Sequence, residues 1–206
     1  PAGVAPAAPS AVAPAGTIAT PQGRQPFVVP RALEVEEIRV IVGQFAQAAR
    51  RALDAGFDGV ELHAAQGYLI DQFLRDGANR RTDAYGGTVE RRARFLLEVT
   101  QATCGVWGEG RVGVQLSPTS PLNDMVDSDP SATFGHAAEA LSRFGLAYLH
   151  VFEPMDPTQP APLVTPLLRA RFRGLLIANG GYTKEAADRA IAGGAADLIS
   201  FGRPFI

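Results

Sequence analysis

Cysteine is almost absent from this chain of 206 residues: Cys104 stands alone. A single thiol excludes an internal disulfide and any site built from several thiolates. Its place in an apolar helical pattern marks it as a packing residue. Long apolar runs are missing too, and none approaches the ~20 residues needed to span a bilayer. The first residues lack the basic start and continuous apolar stretch of a secretory leader, so a cytoplasmic location is expected. Excess charge of either sign is lacking: 19 Lys and Arg face 21 Asp and Glu, a net of −2. That balance favours neither nucleic acid nor an anionic membrane as a partner. Asp124, Asp127 and Asp129 cluster without metal-loop spacing, so no metal is expected. What remains is an apolar share of 46%, enough for one sizeable core.

Residues Pro1 to Gly16 are rich in alanine and proline and cannot form a regular helix, because each proline removes a donor and fixes its own φ. From Val35 onward apolar and turn signals alternate. Ile38, Ile41, Val42, Phe45, Ala48, Ala49, Ala52 and Leu53 recur at three- and four-residue intervals, describing one helix face that Gly56 closes. Strands are expected at 59–62, 112–116, 148–152, 175–178 and 198–201. Thr88 is placed to cap the helix after the first of them, with Glu90 in its first turn. Further helices are expected at about 131–144, ended by Gly145, at 163–170 and at 184–192. Strands alternating with helices pair in parallel through right-handed crossovers, and strands apolar nearly throughout are buried on both faces.

The stretch from Gly59 to Phe95 is the richest in signals: GVELHAAQGYLIDQFLRDGANRRTDAYGGTVERRARF. His63, Gln66 and Tyr68 follow the strand at its carboxyl end, where groups in a parallel α/β barrel face the reaction chamber. An imidazole, an amide and a phenol can all offer a hydrogen to one bound ligand. The segment resembles the old yellow enzyme family of flavin-dependent ene-reductases, worded H-x-x-N or H-x-x-H, G-Y-L, then N-x-R-T-D-x-Y-G-G-S-x-E-x-R-A-R-F. Upstream, PAAPSAVAP, the Thr20-Pro21-Gln22-Gly23 turn and Pro30-Arg31-Ala32-Leu33 match the family's region between the third strand and the next helix. The resemblance covers about Pro6 to Ile206. It implies a (β/α)8 TIM barrel, here a partial barrel comprising the fourth through eighth strands. Residues 1–34 would be a loop and small hairpin region after the third strand, and 35–206 the C-terminal part of the barrel. Pro1 in place of methionine, and five strands where a closed barrel has eight, point to a piece of something longer. The missing N-terminal barrel half, or a homo-oligomer, would then be a partner.

The resemblance also implies roles. FMN would be the cofactor, with NADPH or NADH as electron donor and a small electrophile such as an enone or nitroalkene as substrate. His63 and Gln66 would bond the activating oxygen of the substrate, where negative charge builds as hydride adds to the alkene. Tyr68 would protonate the neighbouring carbon, since a phenol stays protonated at neutral pH. Gln66 departs from the usual Asn or His by one methylene or by ring shape, which bears on substrate choice. Gln115, in Val112-Gly113-Val114-Gln115-Leu116-Ser117-Pro118, stands where the family has an arginine against the flavin ring. It can bond a carbonyl but supplies no charge. Asn179-Gly180-Gly181-Tyr182 and Phe201-Gly202-Arg203-Pro204 resemble the family's phosphate loops: glycines admit a phosphate to the backbone, and Arg203 pairs with its oxygens.

Arg80, Arg81, Thr82, Asp83, Tyr85, Gly86, Gly87, Glu90, Arg91 and Arg94 carry the strongest signature. They read as a structural loop with charge pairs to Asp83 and Glu90. His136 and His150 are assigned to structure. Two other readings stay open: a non-catalytic phosphate-binding half-barrel, and the dienoyl reductase or amine dehydrogenase branch, which adds an iron–sulfur cluster.

Overall fold

The computed structural model describes residues 5–154 and 163–202. At its N-terminal side β1 (Ala7–Ala8) pairs in parallel with β4 (Arg31–Ala32). Between them β2 (Thr17–Thr20) and β3 (Gly23–Pro26) form an antiparallel hairpin. The Thr20 hydroxyl closes the turn by donating to the Gly23 carbonyl (2.7 Å) and accepting from the Gln22 amide (3.2 Å).

Helix α1 (Val35–Asp54) follows, and Gly56 at φ +85° lets the chain leave it. Ile38 and Ala49 on its apolar face are buried, and Ile41, Val42 and Phe45 pack against the core, whereas Ala48 is turned to solvent. The main sheet has five parallel strands in chain order: β5 (Val60–Ala64), β6 (Val112–Leu116), β7 (Tyr148–Phe152), β8 (Leu176–Asn179) and β9 (Leu198–Ile199). They are joined through α2 (Leu69–Leu74), α3 (Val89–Trp107), α4 (Pro130–Leu141), α5 (Thr165–Arg171) and α6 (Lys184–Ala192). This is a partial parallel barrel, as the alternation of strand and helix signals requires. Two expected strands lie a residue or so later in the chain than anticipated, and β9 is shorter.

One helix was not anticipated and two local expectations are corrected. The short helix α2, directly after Tyr68, has no apolar repeat long enough to announce it. Thr88 does occupy the position before α3, but its hydroxyl accepts no amide of the first turn; α4 and α6 are instead closed by Asp129 and Thr183 side chains. The strands are not apolar on both faces. Side chains alternate along a strand, and one set (Leu62, Val114, Leu149, Val151, Leu176) is buried beneath the helices. The other set carries Glu61, His63, Gln115, Tyr148, His150 and Asn179, and these are half-buried or exposed. The inner face is therefore a polar one.

The loop after β5 is tied down by buried cations. Arg75 bonds Asp71 (2.9 Å), donates to the Ser117 carbonyl and lies 5.1 Å above the Phe134 ring. Arg92 reaches the carbonyls of Leu74 (2.6 Å) and Gly87 (2.7 Å). Arg81 pairs with Asp83 at 2.6 Å and donates to the carbonyls of Pro9 (2.8 Å) and Leu33 (2.5 Å), fastening the N-terminal segment. The expected pair to Asp83 is present. Glu90 instead bonds the Thr88 side chain, which holds its carboxyl below the usual range.

Candidate functional site

Parallel pairing puts the carboxyl ends of all five strands on one edge of the sheet. At the end of β5, Gln66 (φ +57°) and Gly67 (φ +79°) turn the chain sharply into α2. A left-handed non-glycine residue costs roughly 1–2 kcal/mol, and the surrounding bonds hold it there. The Gln66 amide donates to Ser117 Oγ (2.7 Å), its carbonyl accepts from Asn123 Nδ2 (2.9 Å), and the Gly67 amide donates to buried Asp71 (2.9 Å). Asn123 is itself left-handed at φ +60°. A β-carbon on Gly67 would come within 2.7 Å of the Asn123 side chain, so glycine is required.

This turn brings the Tyr68 ring to 5.0 Å from the His63 ring, tilted by 55°. Tyr68 stands at the wall of a cavity of about 530 Å³, shared with Gln72, Met125 and, from the N-terminal hairpin region, Val12 and Phe27. The rings of His63 and Tyr68 are thus brought together. Gln66 is held by its backbone, and its side-chain amide makes no hydrogen bond among the described residues.

Gln115 lies beside His63 in register, and His150 beside Gln115. Gln115 Oε1 is 2.7 Å from His63 Nδ1, and Gln115 Nε2 is 3.3 Å from His150 Nδ1. His150 continues the row: Nδ1 is 3.1 Å from Glu61 Oε2, and Nε2 is 2.9 Å from Ser200 Oγ, which accepts from Asn179 Nδ2 at 2.6 Å. Burial pushes the Glu61 carboxyl up, but the hydrogen bond with His150 and the neighbouring Tyr148 hydroxyl outweigh it and leave it below its ordinary value. His150, assigned to structure from the sequence, sits in the middle of the polar row, and Glu61 and Ser200 were missed altogether. The signal available was alignment: a polar side chain at the same level of three neighbouring, otherwise apolar strands.

At the far side of the sheet, Asn179 ends β8, and Gly180 (φ +143°) and Gly181 (φ +102°) follow. A β-carbon on Gly180 would land on the Glu153 carbonyl oxygen, so only glycine fits. Glu153, another residue the sequence did not mark, is buried at the end of β7. It accepts from the amides of Val164 (2.9 Å) and Thr165 (2.8 Å) and from Thr119 Oγ1 (3.2 Å). Gly202 is exposed after β9, and Arg203 lies outside the described residues. No cluster of metal ligands occurs among the described residues. Asp129 instead accepts from the Ala132 amide at the start of α4, and Asp124 from that of Ala15. No helix there is long and apolar enough to cross a membrane. Chemically, the edge offers a phenol at a cavity wall with an imidazole beside it, an amide in the sheet beneath them, and an exposed glycine at 181.

Comparison with known proteins identifies the family. The family model for the NADH:flavin oxidoreductase / NADH oxidase family matches residues 3–206. The putative 12-oxophytodienoate reductase 11 of Oryza sativa subsp. japonica is 45% identical over 184 residues, covering 87% of this chain and 50% of the relative. 12-Oxophytodienoate reductase 2 of Arabidopsis thaliana is 44% identical over 184 residues, covering 87% of this chain and 49% of its own length. The old yellow enzyme homologue from Zymomonas mobilis superposes with a TM-score of 0.95 at 44% identity, covering 98% of this chain and 58% of that one. Morphinone reductase gives 0.93 at 43% identity, covering 100% and 57%. The chain spans about half the length of the curated relatives it matches. Matched over nearly its whole length in sequence and in backbone, the chain belongs to the NADH:flavin oxidoreductase / NADH oxidase family, with the old yellow enzymes among its structural neighbours.

Proposed function

We propose that this chain is the C-terminal part of an FMN-dependent ene-reductase, which takes hydride from NADH or NADPH and delivers it to an activated alkene such as an enone or nitroalkene. The observation that carries the reading is the pairing of the His63 and Tyr68 rings, 5.0 Å apart, on the sheet edge that also bears the Asn179–Gly181 turn. The residues present fit the cofactor. Gln115 turns its amide to the inner face, where it can bond a ring carbonyl, and the exposed Gly181 leaves backbone open to a phosphate. When bound, the flavin supplies the hydride chemistry.

The chain's own residues do the rest. His63, joined by the Gln66 side chain if that amide turns inward, donates to the substrate's activating oxygen and draws off the charge that develops there. Tyr68 gives the proton of its hydroxyl to the carbon beside the activating group. The cavity wall formed by Met125, Val12 and Phe27 shields this transfer from water and accepts an apolar substrate body. Morphinone reductase has been crystallised with tetrahydroNAD, which favours a nicotinamide as the donor here. Gly202 and Arg203 would complete the phosphate site.

FMN titration of the purified chain, followed by quenching of flavin fluorescence, tests the reading. Saturable uptake is expected, with riboflavin, which lacks the phosphate, at least about tenfold weaker. A chain that stays colourless with FMN in excess overturns it in favour of a half-barrel without redox chemistry. With flavin bound, Tyr68→Phe should keep NAD(P)H oxidation by oxygen while alkene reduction falls about 10²-fold or more.

A further inference from the structure

We propose that Glu61 and His150 are positioning residues that act through the Gln115 amide to fix which nitrogen of His63 carries its hydrogen. The proposal rests on the functional reading above, in which His63 must donate, and extends it to two residues that do not line the cavity.

The hydrogens can be followed from the far end of the row. Asn179 Nδ2 lies 3.1 Å from the Ser200 carbonyl oxygen, which can only accept, so this end of the Asn179 amide is the nitrogen. It also donates to Ser200 Oγ at 2.6 Å, leaving the hydroxyl hydrogen free for His150 Nε2 at 2.9 Å. On the opposite side of that ring, Nδ1 faces Glu61 Oε2 at 3.1 Å. A carboxylate accepts only, so His150 carries its hydrogen on Nδ1. The depressed carboxyl of Glu61 agrees with an ionised acceptor.

His150 Nδ1 also meets one end of the Gln115 amide at 3.3 Å. The two ends of a side-chain amide differ only in the hydrogens they carry, so the network assigns them. The structure sets Gln115 Oε1 at His63 Nδ1 (2.7 Å) and Gln115 Nε2 at His150 Nδ1 (3.3 Å); a donor at His150 calls for the two ends exchanged, which puts the amide nitrogen at His63 Nδ1. Nδ1 of His63 therefore accepts, and its hydrogen sits on Nε2, the nitrogen left for a ligand oxygen. With the amide oxygen at Nδ1 instead, His63 would hold its hydrogen on Nδ1 and present Nε2 as an acceptor, unable to bond a carbonyl. The sign of the relay does not change if His150 takes up a second proton, because Nδ1 keeps its hydrogen in both forms.

The arrangement matters for this chain in particular because position 115 is an amide. An arginine there has only donors, so it would give hydrogens to both neighbours and could not pass on the state of His150.

Two-bond ¹H–¹⁵N correlation NMR of the 206-residue chain, with its three histidines labelled, reads the tautomers directly, and His136→Gln identifies the third ring. The expected result is hydrogen on Nε2 of His63 and on Nδ1 of His150. Glu61→Gln should lower the His63 tautomer ratio about three- to tenfold, and Gln115→Met should do the same while leaving His150 unchanged. Hydrogen on Nδ1 of His63 in the unsubstituted chain overturns the proposal, as does a His63 ratio unmoved by both substitutions. The two ideas fail separately: loss of FMN uptake with the predicted tautomers rejects the functional reading, and FMN uptake with the opposite tautomer rejects the relay.

Discussion

The loop after β5 and the inner face of the sheet use their polar groups in opposite ways. In the loop Arg75 and Arg92 are buried, and Arg81 is closed off by its partners. Arg75 is 2% exposed against an Asp71 that is fully buried, and Arg92 and Arg81 end on main-chain carbonyls. On the inner face, His63, Gln115, Glu61 and His150 touch one another and keep part of their surface open. The first set is architecture: it holds the sharp turn at Gln66 and Gly67 so that Tyr68 faces His63. The second set is poised for a ligand. Polar groups that are fully satisfied rigidify, and those left with an unmet valence bind.

Substitution should separate the two sets most sharply at Arg75. Arg75→Met leaves the Asp71 carboxyl buried without its cation, in a place where burial already pushes it up. Loss of one partner of a buried pair costs about 3–5 kcal/mol. Urea unfolding should register that loss, and Asp71→Asn added to Arg75→Met should recover a good part of it. Gln115→Met, in the middle of the open row, should change stability by less than about 1 kcal/mol. Comparable losses at the two positions would erase the distinction.

Gly180→Ala asks whether the open face has its own rigid anchor. The new β-carbon must displace the Glu153 carbonyl, in a backbone conformation that L-residues rarely adopt. A cost of about 1–3 kcal/mol is expected by urea unfolding, together with weaker FMN uptake than the unsubstituted chain.

A smaller effect should follow from returning a charge to the row. In the flavin-loaded protein, Gln115→Arg supplies a cation where the amide supplies none. A charged hydrogen bond is worth about 1.5–3 kcal/mol, which for a two-electron couple corresponds to a midpoint potential about 30–60 mV higher. A redox titration that finds no rise would count against an electrostatic role for position 115.

How far the sequence discloses these two regions differs for physical reasons. The parallel strands, the helices α1, α3, α4 and α6 and the hairpin turn at Thr20–Gly23 were legible because periodicity and turn residues act locally. His63 and Tyr68 were legible because a long ordered motif surrounds them. The helix α2 was not, since six residues carry no repeat. The row through Glu61, Gln115, His150 and Ser200 was invisible because it is assembled across β5, β6, β7 and the end of β9, at separations of 35 to 89 residues. Register is a property of the folded sheet, and no window along the chain contains it. The signature arginines invited the opposite error. Arg91 and Arg94 were singled out, yet Arg91 falls on an open position of the motif and the buried one is Arg92, the first arginine of R-A-R-F, because its side chain lies on the core face of α3.

Alkaline titration gives the finest test, because each region contains one tyrosine held up by burial and by a carboxylate. Tyr85 in the loop donates to Glu98 at 2.8 Å, and Tyr148 on the inner face lies beside the Glu61 carboxylate; burial first, and then the carboxylate, raise both from 10.0 to about 12. The unfolded chain releases these protons near 10 and the folded chain near 12. Stability from both groups is therefore fully present below pH 10 and is lost as pH rises through about 12. Both should ionise late in tyrosinate absorbance, as should Tyr182, which burial and Glu153 also hold up. Glu98→Gln should move Tyr85 to an earlier pH and leave the inner face alone. Glu61→Gln should move Tyr148 and also shift the His63 tautomer, because on the inner face one carboxylate serves both neighbours. If Glu61→Gln moves the tyrosine and not the histidine, the row is a set of separate pairs, as in the loop, and the contrast between the two regions disappears.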